Sequence, residues 1–226
     1  MAQRIVVLAA LRQELAPLRQ RINRPGVSFV RTGVGPRRAG GATRERCGGA
    51  RLLLSTGCCG GLVPGAASGM VAIPERVLEL RGERAREVPA PDPELGDIAR
   101  GLAEQLGLHC SGRPLCTVDE ALDTPERKER CHRLSGAVAV DMETAAIARV
   151  AGELGVPYVS MRVVLDTSSE TLPSLPDKLT KLRPLLELAR KPGAVLTLAA
   201  LALRLRSVSD NLARCAAAFL DEVAFL

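Results

Sequence analysis

Aromatic residues are almost missing from this 226-residue chain, which has one Tyr, three Phe and no Trp, 2% in all. The core must therefore be built from Leu, Val and Ala, and a ligand that stacks on an aromatic ring finds few partners. The same scarcity removes the stacking platform on which single-stranded nucleic acid is bound. The formal charge is +6, but the arginines are scattered from Arg4 to Arg214. Their densest stretch, Arg76 to Arg86, alternates with Glu75, Glu79, Glu83 and Glu87 and reads as a solvated, salt-bridged segment. A nucleic-acid partner is not expected, whereas a polar or anionic small molecule is compatible with the charge.

Histidine is equally scarce, with two residues, and the seven cysteines show no CxxC spacing. His109, Cys110, Cys116, Cys131 and His132 fit none of the paired-ligand patterns of zinc sites, so no metal is expected and the thiols read as free. An odd cysteine count, with Met1 leading straight into a strand-like run, points to the reducing cytoplasm. Long apolar runs are absent too. Ala194 to Leu203 falls short of the about 20 residues that span a bilayer and reads as a core helix.

What is present suits one α/β domain over residues 1–226, with 46% hydrophobic and 25% charged residues to build a core and a solvated surface. Ile5 to Ala10 is a continuous apolar run, as in a strand buried on both faces. Leu11 to Ile22 follows with Leu11, Leu15, Leu18 and Ile22 on one helical face. Val27 to Arg31 is a second strand, after which Thr32-Gly33-Val34-Gly35 opens a helix near Pro36. Leu52 to Ser55 reads as a third strand, followed by Thr56-Gly57-Cys58-Cys59-Gly60-Gly61, and Gly69 to Val77 as a fourth. Asp92 to Leu106 is helical and stops at Gly107. Leu115 to Val118, Ala137 to Val140 and Val156 to Leu165 are strands, and Glu143 to Leu154 is a helix closed by Gly155. Two helices finish the chain, from Asp177 and from Gly193, the second apolar and running to residue 221. Strands alternating with helices predict a sheet covered on both faces.

In such sheets ligands sit at the carboxyl ends of strands. Those ends carry Glu14, the two glycine-rich turns, Asp141-Met142-Glu143, and Arg162 to Asp166. Each has a plain structural reading beside a functional one. Thr32 to Gly35 is a tight turn or an anion cradle, and it is not a dinucleotide fingerprint, because Arg38 stands where the third glycine belongs. Gly57 to Gly61 is a bulge with two buried thiols or a close backbone approach to a ligand. No histidine is placed to activate Cys58 or Cys59, which argues against a cysteine nucleophile. Asp141 and Glu143 at a helix start could serve the macrodipole, and Asp166 could cap a turn.

Taken in order, VLAALRQEL (Val7 to Leu15), TGVG (Thr32 to Gly35), STGCCGGLVPG (Ser55 to Gly65), GMVAIP (Gly69 to Pro74), VDMETAAIA (Val140 to Ala148) and VPYVSMRVVLD (Val156 to Asp166) resemble the successive blocks of the nucleoside phosphorylase and nucleosidase superfamily. The methylthioadenosine/S-adenosylhomocysteine nucleosidases belong to it. The resemblance implies a mixed central sheet flanked by helices, a homo-oligomer, and cleavage of the N-glycosidic bond of a purine nucleoside by water or phosphate, without metal or organic cofactor. It makes Asp166 the acid that protonates the departing purine and Glu14 the carboxylate that orients the attacking water. Glu143 would grip the ribose hydroxyls, Met142 would pack on the sugar, and Arg162 would support the acid's loop. Gly35, Cys58, Cys59 and Gly60 would line the nucleoside.

The departures matter as well. Cys58 stands where relatives often carry Ser, and Ser55 where hexameric phosphorylases place a phosphate-binding Arg, which tilts the reading toward hydrolysis. Thr117 to Leu122 lacks the usual base-stacking Phe, so Val118 or Leu122 would cover the purine. A nucleoside-binding module without catalysis is the rival from another class, and a nicotinamide oxidoreductase a distant one. The tail after Asp166 resembles the hopanoid-associated phosphorylases, which implies release of adenine from a 5′-modified, lipid-linked adenosine and peripheral contact with the inner face of a membrane. Leu198, Leu201, Leu205, Val208, Leu212, Cys215 and Phe219 form one stripe that docks the last helix on the sheet, while Leu196 and Leu203 lie on another face.

Overall fold

The computed structural model describes residues 4–172 and 192–223, with side chains in the second run from Leu203 onward. Ten strands form one mixed sheet. They are β1 (Arg4–Ala9), β2 (Val27–Arg31), β3 (Ala50–Gly61), β4 (Val71–Ala72), β5 (Val77–Arg81), β6 (Arg84–Glu87), β7 (Cys110–Ser111), β8 (Leu115–Thr117), β9 (Ala139–Asp141) and β10 (Tyr158–Asp166). The helices are α1 (Arg12–Arg21), α2 (Pro36–Arg46), α3 (Pro93–Gln105), α4 (Pro125–Ser135), α5 (Thr144–Leu154) and α6 (Pro192–Val223). The predicted α/β class and two-sided sheet are what the chain forms.

Side-chain alternation along β1 explains the layers. Ile5, Val7 and Ala9 enter one core with Leu15 and Leu18 of α1, Ala99 and Ala103 of α3, and Val208, Leu212, Cys215 and Phe219 of α6. Val6 and Leu8 enter the opposite core with Ala39 of α2 and Ala145, Ile147, Ala148 and Ala151 of α5. Helix ends follow their local signals. Asp92 caps α3 by accepting from the Leu95 N–H at 3.0 Å, and Gly136 and Gly155 end α4 and α5 in the left-handed conformation.

Strand β3 is the hub and is longer than its apolar run suggested. The glycine-rich stretch after Ser55 lies within the strand, where it was expected as a turn. Parallel pairing with β1 ends at Leu8 and Ser55, antiparallel pairing with β9 begins at Gly60, and β10 runs parallel along the other edge from Leu53 to Gly60. Between Ser55 and Gly60 one edge of β3 therefore has no ladder partner.

Two other expectations change, and one helix has no counterpart among them. Gly69 to Val77 divides into β4 and the start of β5. The arginine-rich segment is not simply solvated. It forms the β5–β6 hairpin, with Glu79 buried and held by Arg149 at 2.7 Å. Residues 125–135 form a helix that their charged composition concealed, although Thr124-Pro125 and Gly136 supply its start and stop. The helix expected from Asp177, and the side chains of Leu196, Leu198 and Leu201, lie outside the described residues.

Candidate active site

The unpaired edge of β3 is met by a side chain from the first turn of α1. Glu14, in the first turn of α1, accepts the Cys58 N–H on Oε1 and the Leu11 N–H on Oε2, both at 2.8 Å. The second bond runs from the N-cap N–H to a carboxylate three residues on, and it fixes that carboxylate beside β3. Only glycine fits opposite it. A Cβ on Gly57 would stand 2.8 Å from both Glu14 Oε1 and Arg162 Nη1, and its φ of +139° is rarely adopted by L side chains.

The two acids at the start of α5 have different duties. Asp141 is the cap. Its Oδ2 accepts from the Thr144 N–H at 3.0 Å and from the Thr144 hydroxyl, while Oδ1 accepts from Thr117 Oγ1 at 2.6 Å. Glu143 makes no cap bond and reaches across to the β2–α2 turn, where Gly35 donates its N–H to Oε1 at 2.9 Å. The positive φ of Gly35, +94°, turns that N–H into the site. Thus the first glycine turn does bind an anion, and the anion is a carboxylate of the chain itself.

Arg162 ties these groups together. It is 1% exposed, forms an ion pair with Asp141 Oδ2 at 3.0 Å, and donates to Ser55 Oγ (3.1 Å), Thr144 Oγ1 (3.2 Å) and Glu143 Oε2 (3.4 Å). Burial opposes its charge, and the carboxylates of Asp141, Glu143 and Glu14 outweigh that opposition. Burial also pushes Glu143 up to about 7, against the pull of Arg162 and with Asp141 adding to the rise. Ser55 is fully buried and bound to Arg162, so its hydroxyl is spent in the core.

Asp166 ends β10 in register with Gly60, and a Cβ on that glycine would lie 3.2 Å from its Oδ2. Burial raises the Asp166 carboxyl, opposed by Lys128, whose Nζ is 2.6 Å from Oδ2. The thiols of Cys58 and Cys59 lie within the field of Asp166, and burial raises both, so neither is a thiolate at neutral pH. Val118 is buried in a small apolar cluster that Leu122 and Met142 pack against, together with Cys131 of α4.

The structure thus brings two hydrogen-bonded sets to Gly57, Glu14 with Cys58 and Glu143 with Gly35 and Arg162, with Asp166, Gly60 and Cys59 at the β10 side. Val118, Leu122 and Met142 form an apolar cluster of their own, and no direct bond joins Asp166 to Glu14 or Glu143. Sequence reading missed Lys128, whose sole signal is its spacing of three from Cys131 on one face of α4.

A family model described as the phosphorylase superfamily matches residues 18–181. The chain belongs to this superfamily. The matched span holds Gly35, Glu143, Arg162 and Asp166, with Glu14 just ahead of it. Among phosphorylase-superfamily relatives, the 5′-methylthioadenosine/S-adenosylhomocysteine nucleosidase of Geobacillus thermodenitrificans is 29% identical over 133 residues, or 53% of this chain and 56% of that protein. The chain spans about half the length of the curated relatives it matches. A futalosine hydrolase mutant of Helicobacter pylori superposes with a TM-score of 0.76 at 18% identity, over 97% of this chain and 99% of that one. The Neisseria meningitidis 5′-methylthioadenosine/S-adenosylhomocysteine nucleosidase, in complex with methylthio-immucillin-A, gives 0.76 at 21%, again over 97% and 99%. At these identities the structural likeness carries the superfamily fold alone.

Proposed function

We propose that the protein hydrolyses the N-glycosidic bond of a purine nucleoside and releases adenine from a 5′-modified adenosine. One observation carries this reading, the convergence of Glu14, Glu143 and Asp166 on the glycine-rich half of β3. C1′–N9 cleavage builds positive charge on the sugar and negative charge on the purine. Glu143 would hold the ribose hydroxyls where the cation develops, and Asp166 in its acid form would give a proton to the purine N7. Glu14, fixed by two backbone donors, would orient water and accept its proton as the C1′–O bond forms. The names of the nucleosidase relatives support the same bond and the same base.

Water is favoured over phosphate as acceptor. Arg162 already answers the site's carboxylates, and Ser55 offers no cation. Adenine release from a panel of 5′-substituted adenosines, with and without phosphate, tests both points. Wild-type release should be independent of phosphate, and Asp166→Asn should lower it by about 10²–10⁴-fold while ligand binding persists. A phosphate-dependent rate refutes hydrolysis, and near-normal turnover in Asp166→Asn refutes the acid.

A lipid-linked 5′ group, as in adenosyl-hopane, is the second reading, and one feature of α6 favours it. Leu203 is 68% exposed, and its neighbour Arg204 donates to the carbonyl of Leu165 at 3.3 Å, one residue before the acid. An apolar side chain in open water thus stands close to the end of β10.

A further inference from the structure

Lys128 is fully buried in α4, where a lysine is rarely found unless it is paired. Its ammonium donates to the carbonyls of Thr167 at 2.6 Å and Glu170 at 2.9 Å, and forms an ion pair with Asp166 Oδ2, an acceptor with no other partner, at 2.6 Å. A neutral donor would serve the two carbonyls as well. Asp166 alone among these acceptors answers the charge.

We propose that Lys128 is the positioning residue of the site's acid, holding Asp166 Oδ2 and stabilising the carboxylate that remains once the proton has passed to the base. This rests on the reading of Asp166 as the general acid. Oδ2 is sealed from solvent, so Oδ1 is the oxygen left to meet N7. As the C1′–N9 bond breaks, its electron pair moves into the purine and the Asp166 proton goes to N7. A buried carboxylate appears at that moment, and a preplaced cation stabilises it without reorganisation. The proton that Glu14 takes from the attacking water restores the count through solvent.

The surroundings single out Lys128. The other titratable groups facing Asp166 are Glu170, in the loop after β10, and the thiols of Cys58 and Cys59 on β3. Glu170 is answered by Arg204 of α6 at 2.6 Å, and Arg204 has its other bond with the carbonyl of Leu165. Among the described residues Lys128 is the one cation paired with the acid. Burial alone would leave Asp166 a weak acid that keeps its proton, and Lys128 draws it back.

The test compares Lys128→Met with Lys128→Gln, which keeps two donors for the Thr167 and Glu170 carbonyls and removes only the charge. Two substrates are used, a 5′-substituted adenosine and its N7-methylated analogue, whose base leaves without needing a proton. Both variants should lose roughly 10- to 100-fold in kcat on the first substrate. The basic limb of kcat/KM should move to higher pH, because the acid now holds its proton more tightly, and release from the methylated analogue should be nearly unchanged. If Lys128→Met does not fold, Lys128→Gln decides alone. Equal losses on both substrates with an unmoved limb overturn the proposal, since Lys128 would then only brace the 167–170 loop. Asp166→Asn separates the two readings. Should it fail on adenosine while Lys128→Gln is normal, only the role of Lys128 is lost. If Asp166→Asn is itself normal, both are.

Discussion

Glu143 and Asp141, two positions apart, show how much a single residue's role depends on partners outside its own segment. Either acid could have capped α5 on local grounds. Asp141 takes the Thr144 N–H, and Glu143 is left facing Gly35 and Arg162. Its carboxyl is pushed up to about 7 from the ordinary 4.5, chiefly by burial. If ionised Glu143 grips the ribose, kcat/KM of the wild-type protein should fall below an acidic limb near pH 7, and Glu143→Gln should lack that limb. The stability sign is also determined. Between pH 4.5 and about 7 the folded state keeps a proton that the unfolded chain releases, so Glu143 lowers stability as pH rises through that window. Urea unfolding of Glu143→Gln should lack this component. A persistent acidic limb in that variant would assign the titration to another group. Asp166 was legible as the residue ending an apolar strand. Lys128 was not, because no local pattern marks a lysine for burial beside a carboxylate from a different element.

At the scale of elements, the apolar runs and their stops located β1, β2, α3, α5 and β10 to within a few residues. Short pieces such as β6 and β7 escaped, since two to four residues cannot display a period. The extension of β3 through Gly61 escaped for another reason. Glycines signal a turn by propensity, yet here their lack of Cβ lets one strand pass between Glu14 and Arg162 on one side and Asp166 further along. Gly57→Ala should therefore keep the sheet and displace both Arg162 Nη1 and Glu14 Oε1 from the added methyl. Circular dichroism should stay native while kcat/KM falls on the order of 10²-fold, the scale expected of about 1 Å of misplacement. Unchanged turnover would mean that these two groups do not touch the reacting atoms.

For the molecule as a whole, α6 combines a docking stripe with one exposed leucine among its described side chains. Val208, Leu212, Cys215 and Phe219 are buried, while Leu203 stands out at 68% exposure. Among the described residues no helix is long and apolar enough to cross a membrane; the lipid-linked reading proposed above sets Leu203 against a bilayer surface. On that reading Leu203→Gln should weaken liposome association and activity on adenosyl-hopane and leave a small 5′-substituted adenosine unaffected. A change in sedimentation with both activities lowered would instead make Leu203 a subunit contact.

Composition and periodicity by themselves determined the α/β class, because the apolar period of a strand or helix is written in neighbouring residues. They also determined which residues stand at strand ends, and hence the identities of the candidate acids. The tertiary structure alone decided that β3 loses β1 before it gains β9, which opens the edge where Glu14 binds. It alone decided that Asp141 is engaged at the start of α5 while Glu143 reaches Gly35 and Arg162, and that Lys128 lies against Asp166. These are pairings between segments from 24 to 108 residues apart, such as Thr117 with Asp141 and Gly35 with Glu143, and only the packing of the whole sheet brings them together.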